Sequence, residues 1–235
     1  MTTTSAPRTA REHARAELTR AILASARRQL AEVGPAALSV RAVARDLGMV
    51  SSATYRYFRS RDELLTALLI EAYDEIGEAV ESADAAVNDR GELAARWRAI
   101  CHAVRDWAVG NPHEYALLYG SPVPGYAAPE TTIPAASRVP LALLALAHDA
   151  EVAGRALGAP TLPVPEAEHA ALGGIRSLTD FTISDQRLVR SLLAWTTLFG
   201  HVSMELFGHM YRGVLDYDAH FAHVVETLAG DLGLV

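Results

Sequence analysis

An all-helical (all-α) fold in two parts, a small N-terminal set of three helices and a larger helical body, is what this sequence predicts. Three observations carry it. Apolar residues recur three and four apart through most of the chain, and no stretch follows the two-residue period of a strand. Two short helices joined by a glycine turn stand before residue 60, and a longer helix opens there. Charge divides at the same place. Through Arg61 there are eleven Arg against four acidic residues, and beyond it ten Arg against twenty-four, so a head of +7 precedes a body of −14. The predicted boundaries are a disordered arm over 1–14, the three-helix head over 15–62 and the body over 63–235.

The first helix is expected over about 15–33, with Leu18, Ile22, Ala26, Leu30 and Val33 as its buried stripe and Gly34-Pro35 as its stop. Ser39 is a good N-cap for the second, because its hydroxyl can accept from the free N–H groups of the first turn. Val40, Val43, Ala44 and Leu47 then share one face, and Gly48 fits the left-handed residue that ends a helix. After a three-residue turn, Val50, Thr54 and Phe58 fall four apart and face inward. Ser51, Ser52, Tyr55, Arg56 and Arg59 project from the other faces, with Tyr57 near the edge. That outer set has hydroxyls and guanidinium groups and no carboxylate. Ser60 and Glu63 form a capping box, S-x-x-E, which opens a longer helix. Two short helices joined by a tight glycine turn, the second with a polar, basic face, describe a helix-turn-helix. A helical hairpin without a ligand is the plainer alternative, and the division of charge disfavours it.

The run S-V-R-A-V-A-R-D-L-G over 39–48, followed by S-S-A-T-Y-R-Y-F-R-S-R-D-E-L-L over 51–65, resembles the DNA-binding domain of TetR-family transcriptional regulators. The resemblance covers about residues 15–65, and Y-R-Y-F-x-S-R-D-E-L-L is a pattern of that family, not of helix-turn-helix proteins at large. There are departures. Val50 stands where the family often has a polar residue at the start of the recognition helix, which leaves Ser51 or Ser52 to cap it. Thr54 stands where Leu is frequent, and Arg61 replaces the usual Lys, keeping the charge but not the shape. The resemblance implies a homodimeric repressor of a palindromic operator in double-stranded DNA, with Arg41, Ser51, Ser52, Tyr55, Tyr57 and Arg61 as DNA contacts. Arg41 can fork onto a guanine edge or onto phosphate, whereas Tyr55, Tyr57 and Arg61 would hold phosphates and fix register. A basic head on an acidic body suits a protein that touches DNA at one end. In the arm, Arg8 and Arg11 are either minor-groove contacts or solvated tail.

The body is read as six further helices and one short ambiguous one. One runs on from Ser60 with Leu64, Leu65, Leu68, Leu69, Ala72 and Ile76 inward. The next, over about 91–110, carries Leu93, Trp97, Ile100, Val104 and Trp107. Asn111-Pro112-His113-Glu114 reads as a second capping box opening a short helix to Tyr119. A Pro-rich loop over 120–134 precedes a helix reaching about Leu157, with Pro140 in its first turns as a kink or true start. Residues 166–183 are ambiguous, with a short helix over Glu166–Leu172 expected. The helix over about 184–209 has one stripe of Leu188, Leu192, Trp195, Phe199, Val202 and Leu206 and another of Val189, Leu193, Met204 and Phe207. A helix apolar nearly all round is buried on two sides. Thr196, Thr197, His201, Ser203 and Glu205 interrupt it, so it is not a membrane span. The last helix, over about 217–232, carries Phe221, Val224, Val225, Leu228 and Leu232. These two helices are expected to pair with their symmetry mates in a four-helix arrangement, through Leu206, Phe207, Val224 and Leu228.

The runs over 111–126 and 195–208 resemble the TetR C-terminal domain class named for its Trp, His and Gly, although here Gly200 precedes His201. That resemblance implies ligand binding and dimerisation. Trp97, His102, Trp107, Tyr115, Tyr119, Trp195 and Phe199 are the candidate lining of a pocket for a small apolar or aromatic effector, though packing is the first use of such residues. No cofactor and no enzymatic activity is expected. There is no G-x-S-x-G or H-E-x-x-H, and Cys101 lies in an apolar helix where thiols are inert packing. His201, Glu205 and His209 stand four apart and could hold zinc, but a polar seam explains them as well. The rivals are a helical enzyme or metal-binding protein with a vestigial head, and a regulator controlled by a protein partner. One Cys permits no internal disulfide and fits a reducing cytoplasm.

Overall fold

A computed structural model of the protein describes residues 10–177 and 179–235. The described residues form eleven α-helices, two short 3-10 turns and no strand beyond a lone bridge between Tyr211 and Val214. They gather into two compact units. One holds the described residues through Ala72 together with His113–Thr132, and the other holds Tyr73–Pro112 with Ile133–Val235.

The first unit is built on α1 (Ala10–Val33), α2 (Val40–Asp46) and α3 (Ser51–Thr54). Ile22, Ala26 and Leu30 of α1 are buried, as are Val40, Val43 and Ala44 of α2. Helix α1 begins five residues before the predicted start, so residues 10–14 of the expected arm are helical, while 1–9 lie outside the described residues. Arg and Glu in that stretch are good helix formers and extend the first turns without needing a buried face. Val33 is exposed, because it stands in the last turn beside the Gly34 stop. The Ser39 hydroxyl caps α2 by accepting from the Ala42 N–H at 3.4 Å. Gly48 has a φ of 65° and closes that helix in the left-handed conformation only glycine adopts without strain.

Helix α4 (Arg61–Ala85) starts at the predicted box in shifted form. Ser60 Oγ accepts from the Glu63 N–H at 3.0 Å, while the Glu63 carboxylate accepts from the Arg59 N–H at 2.6 Å rather than from Ser60. Its residues through Ala72 belong to the first unit and the remainder to the second. Leu64, Leu65, Leu68, Leu69, Ala72 and Ile76 are all buried.

The second unit adds α5 (Leu93–Gly110), α7 (Ile133–Ala136), α8 (Arg138–Val152), α9 (Glu166–Arg176), α10 (Asp185–Leu206) and α11 (Tyr217–Asp231); α6 (Pro112–Tyr119) lies almost wholly in the first. Asn111 ends α5, where both its backbone N–H and its side-chain amide donate to the Trp107 carbonyl. Helix α8 stops five residues short of the predicted Leu157, since Gly154 turns left-handed at φ 67° just beyond it. Helix α9 runs past Leu172 to Arg176, and Leu172 with Ile183 packs it onto Ala147 and Leu188.

Three buried arginines hold this unit together. Arg96 donates to Asp84 at 2.8 Å and to Asp149 at 2.6 Å. Arg105 forks onto Glu205 at 2.7 and 2.8 Å and reaches Asp218 at 2.7 Å. Arg187 donates to Glu151 at 2.7 Å, to the Leu232 carbonyl at 2.8 Å and to the Arg155 carbonyl. Burial alone would raise the Asp84 carboxyl, but hydrogen bonds from Arg96 and Arg90 outweigh it and keep it below the usual range. Around Arg187 the segment 155–159 is stitched to residues 230–234. The Gly158 N–H donates to the Asp231 carbonyl at 3.2 Å. A Cβ on Gly158 would overlap the Gly230 carbonyl oxygen, and one on Gly233 would overlap that of Ala156. Leu232 and Leu234 are buried there.

Candidate nucleic-acid interface and body cavity

Helices α2 and α3 are joined through Gly48, and the buried side of the pair is Val43, Ala44, Thr54 and Phe58. Helix α3 is one turn long, followed by hydrogen-bonded turns through Tyr57. Val50 is its N-cap and provides no side-chain hydrogen bond, so neither Ser51 nor Ser52 takes the capping role. Val50 is also 71% exposed instead of facing inward, because the cap residue precedes the first turn. Thr54 is fully buried and its hydroxyl has no partner, the result of a polar group in a core position.

The opposite surface carries Arg41, Ser51, Ser52, Tyr55, Arg56 and Arg59, all exposed. No carboxylate stands among them. The one acid of α2, Asp46, is engaged by α1: it accepts from Ser25 at 2.5 Å and from Arg28 at 2.6 Å. The Ser25 hydrogen bond, then Arg28, holds its carboxyl below the ordinary range. Tyr57 is half-buried, with the Arg15 guanidinium over its ring at 5.2 Å. Arg61 is turned to the α1–α2 connection, where it donates to the Pro35 carbonyl at 2.8 Å and to the Ala36 carbonyl at 3.2 Å. Five of the six expected DNA contacts thus lie on α2, α3 and the turn after it, while Arg61 braces the loop before α2.

The aromatic residues expected to form a pocket fall in both units, and those of the second unit do not line one space together. Trp97 is core, its indole N–H donating to the Val225 carbonyl at 2.9 Å. His102 meets Phe221 edge-on at 5.4 Å, and Trp107 is half-buried near the end of α5. Tyr115 and Tyr119 pair with each other at 5.1 Å in the first unit. Phe199 is buried with its ring 6.0 Å from Trp195. While Trp97 borders a much smaller space beside Arg187 and Leu232, Trp195 alone of them lines an apolar cavity of about 210 Å³ between α8, α9 and α10 of the second unit. The remaining walls are Pro140, Leu143, Leu144, Ile175, Leu188, Ser191 and Leu192. Sequence reading passed over them because aliphatic residues at helical spacing look like core. The available signal was Ser191, a hydroxyl on the face that holds Leu188, Leu192 and Trp195.

On α10 one stripe is buried or half-buried and the other is largely exposed. Leu193, Met204 and Phe207 are 51%, 49% and 44% exposed. With Thr197 and Gly200 they form a seam at spacings of four, three, four and three. Leu206 and Val224 are half-buried, but Leu228 is already buried within the subunit, against its expected interface role, because it stands on the inward face of α11 with Val225 and Phe221. Glu205 is held by Arg105, and His209 lies beyond the end of α10. Among the described residues no group of three or more His, Cys, Asp or Glu could hold a metal ion. Nor, among the described residues, is any helix long and apolar enough to cross a membrane.

A one-turn helix capped without a side chain, set after a glycine turn and presenting hydroxyls and guanidinium groups without a carboxylate, defines a helix-turn-helix DNA-binding head, and the chain is of the class of DNA-binding transcriptional regulators. The signature of bacterial regulatory proteins of the tetR family matches residues 22–68, and that of the tetracyclin repressor-like C-terminal domain matches 97–228. The chain belongs to the TetR family. It is 41% identical over 232 residues to the HTH-type transcriptional regulators Rv1816 of Mycobacterium tuberculosis and Mb1846 of Mycobacterium bovis, covering 93% of this chain and 95% of theirs. Among solved structures, the regulatory protein SCO4313 is similar with a TM-score of 0.76 and 33% identity, over 94% of this chain and 100% of that one. PfmR from Thermus thermophilus, at 18% identity and a TM-score of 0.57 over 88% and 96% of the two chains, shares the fold.

Proposed function

We propose that the protein is a cytoplasmic repressor that binds a palindromic operator as a homodimer and is released from it by a small apolar or aromatic molecule held in the body. The carrying observation is the exposed, carboxylate-free face of Arg41, Ser51, Ser52, Tyr55 and Arg56. Such a face pairs with the phosphate-lined major groove, where Arg41 reads a base edge or a phosphate and the hydroxyls fix register. Tyr57, steadied by Arg15, adds a phosphate contact. Arg61 acts on register by holding the loop before α2, and touches phosphate only on giving up its two carbonyl partners.

The outward seam of α10 supports the dimer, because apolar residues recurring at alternating four and three spacings pack against a like helix. Phe207→Glu places a charge in that seam and is expected to convert the dimer to monomer in sedimentation at micromolar concentration. The ligand part rests on the 210 Å³ cavity. A ligand there weakens DNA binding only by the difference in its affinity for the two states of the protein, and operator must weaken ligand binding by the same factor. Selection of sites from random DNA tests the reading as a whole. Enrichment of a palindrome, with affinity falling steeply as salt rises, is the expected result. Recovery of no common sequence would overturn it.

A further inference from the structure

We propose that the cavity between α8, α9 and α10 is a binding site for a neutral, largely hydrocarbon molecule of one or two rings that carries a single hydrogen-bond acceptor, such as a cyclic ketone, lactone or quinone. The inference rests on the ligand-release reading above and deepens it by naming the chemistry of the ligand.

Size comes first. At about 210 Å³ the space exceeds the roughly 150 Å³ of a dry cavity that admits benzene and falls below the ~300 Å³ at which drug-sized pockets begin. Charge comes second. The walls hold no ionisable side chain. A carboxylate, phosphate or ammonium would lose part of its water there with no counter-charge in the walls to replace it, which is more costly than burying a neutral group. The nearest guanidinium on α10, Arg187, cannot turn to serve, because Glu151 and the carbonyls of Leu232 and Arg155 already occupy it.

Polarity comes third and fixes the head group. Ser191 and Trp195 line the cavity four residues apart, on the same face of α10. The Ser191 hydroxyl and the Trp195 indole nitrogen are both buried without a hydrogen-bond partner. Two unpaired polar atoms on one helix face of an otherwise hydrocarbon wall are uncommon, since buried polar groups are normally satisfied. The indole N–H only donates, and the hydroxyl can donate. Both are answered by one acceptor oxygen. Neither polar atom opens onto the cavity wall as it stands, so the acceptor would have to draw the hydroxyl and the indole N–H toward it. Removing a ligand acceptor forfeits that pairing; removing the donors leaves a purely apolar site.

The test uses the full-length protein and three probes of one shape: indan-1-one, indane and indane-2-carboxylate, titrated by calorimetry. Indan-1-one is expected to bind about tenfold more tightly than indane, the worth of one well-made hydrogen bond, and the carboxylate more weakly than either. In Trp195→Phe and Ser191→Ala the preference for indan-1-one should shrink to about twofold or less, while indane affinity is kept. Thermal unfolding reports whether each variant is folded, and either variant alone suffices. Equal affinity for indan-1-one and indane in the wild-type protein would overturn the acceptor claim and leave the release reading standing. Tightest binding of the carboxylate would overturn neutrality. Failure of all three to bind would overturn the site. Operator affinity measured with indan-1-one bound separates the two levels: if it does not change, the release reading falls for this cavity while its ligand preference stands.

Discussion

Arginine does opposite work in the head and in the body. All the strong bases of this chain are guanidinium groups, since it has no Lys. In the head, Arg41, Arg45, Arg56 and Arg59 are exposed, and among the described residues their side chains have no hydrogen-bond or ion-pair partner. In the body, Arg96, Arg105 and Arg187 are buried, and each binds a carboxylate together with a further carboxylate or carbonyl groups. The charge balance explains the contrast. A head with eleven Arg and four acids cannot pair all its cations, whereas a body with ten Arg and twenty-four acids offers every guanidinium a choice. Surplus cations on a surface are available to phosphate; a cation enclosed by acids becomes a fastener. The planar fork of the guanidinium serves both ends, where an ammonium would serve the buried role poorly.

Substitution should separate the two uses. Arg96→Ala takes the buried guanidinium from Asp149 and leaves Asp84 with Arg90 alone, and is expected to cost about 3 kcal/mol of stability in urea unfolding. The contrast breaks if the variant is as stable as the parent. Arg41→Ala should leave the unfolding curve in place and weaken operator binding by roughly 1–3 kcal/mol, relaxing preference at one base pair if the side chain reads a base. A stability loss matching that of Arg96 would mean that Arg41 is structural too. Tyr57→Phe, measured by gel shift, should weaken operator binding by about 1 kcal/mol with no change in sequence preference.

The smallest effect sharpens the body's side of the contrast. His201 faces His220 of α11 at 5.1 Å between ring centres, near Glu205 on its own helix and Arg105 of α5. Burial, then the charge of His220, pushes it below the ordinary imidazole value of 6.5. Folding therefore opposes its protonation. As pH falls past about 6.5 the unfolded chain takes up the proton first, and stability declines until pH passes the lowered folded value; above that window nothing is lost. His201→Gln should flatten that decline in thermal unfolding followed from about pH 7.5 down to about 5.5, a range that brackets the imidazole value. An identical decline in the variant would assign it to another group.

Local signals carried the head and most of the body's helices but not the body's long-range pairings, for a physical reason. Ser39, Gly48 and Ser60 act within three or four residues of themselves, so their caps and turns were readable in the sequence. The short α3 was not, because the run from Val50 to Phe58 keeps helical spacing through turns that are no longer α-helical. The fasteners join residues far apart, Arg96 to Asp149 and Arg105 to Glu205, and no periodicity announces such a pair. Arg96 beside Leu93, Trp97 and Ile100 on a buried stripe was the only hint. The cavity was illegible for a similar reason. Whether aliphatic residues fill a space or line one depends on what the facing helix brings, and α9 was itself ambiguous.

The seam between 155–159 and 230–234 bears on the order in which the protein is made. Arg187 and Gly158 complete their hydrogen bonds only with the carbonyls of Leu232 and Asp231. During synthesis, α1, α2 and α3 leave the ribosome with the partners they need close behind them, and can fold early. The body instead waits with α8 and α10 emerged, Arg187 and Gly158 short of their carbonyl partners, until residues 231–234 have been translated. That interval is when a nascent chain of this protein is most exposed to aggregation and most in need of a chaperone.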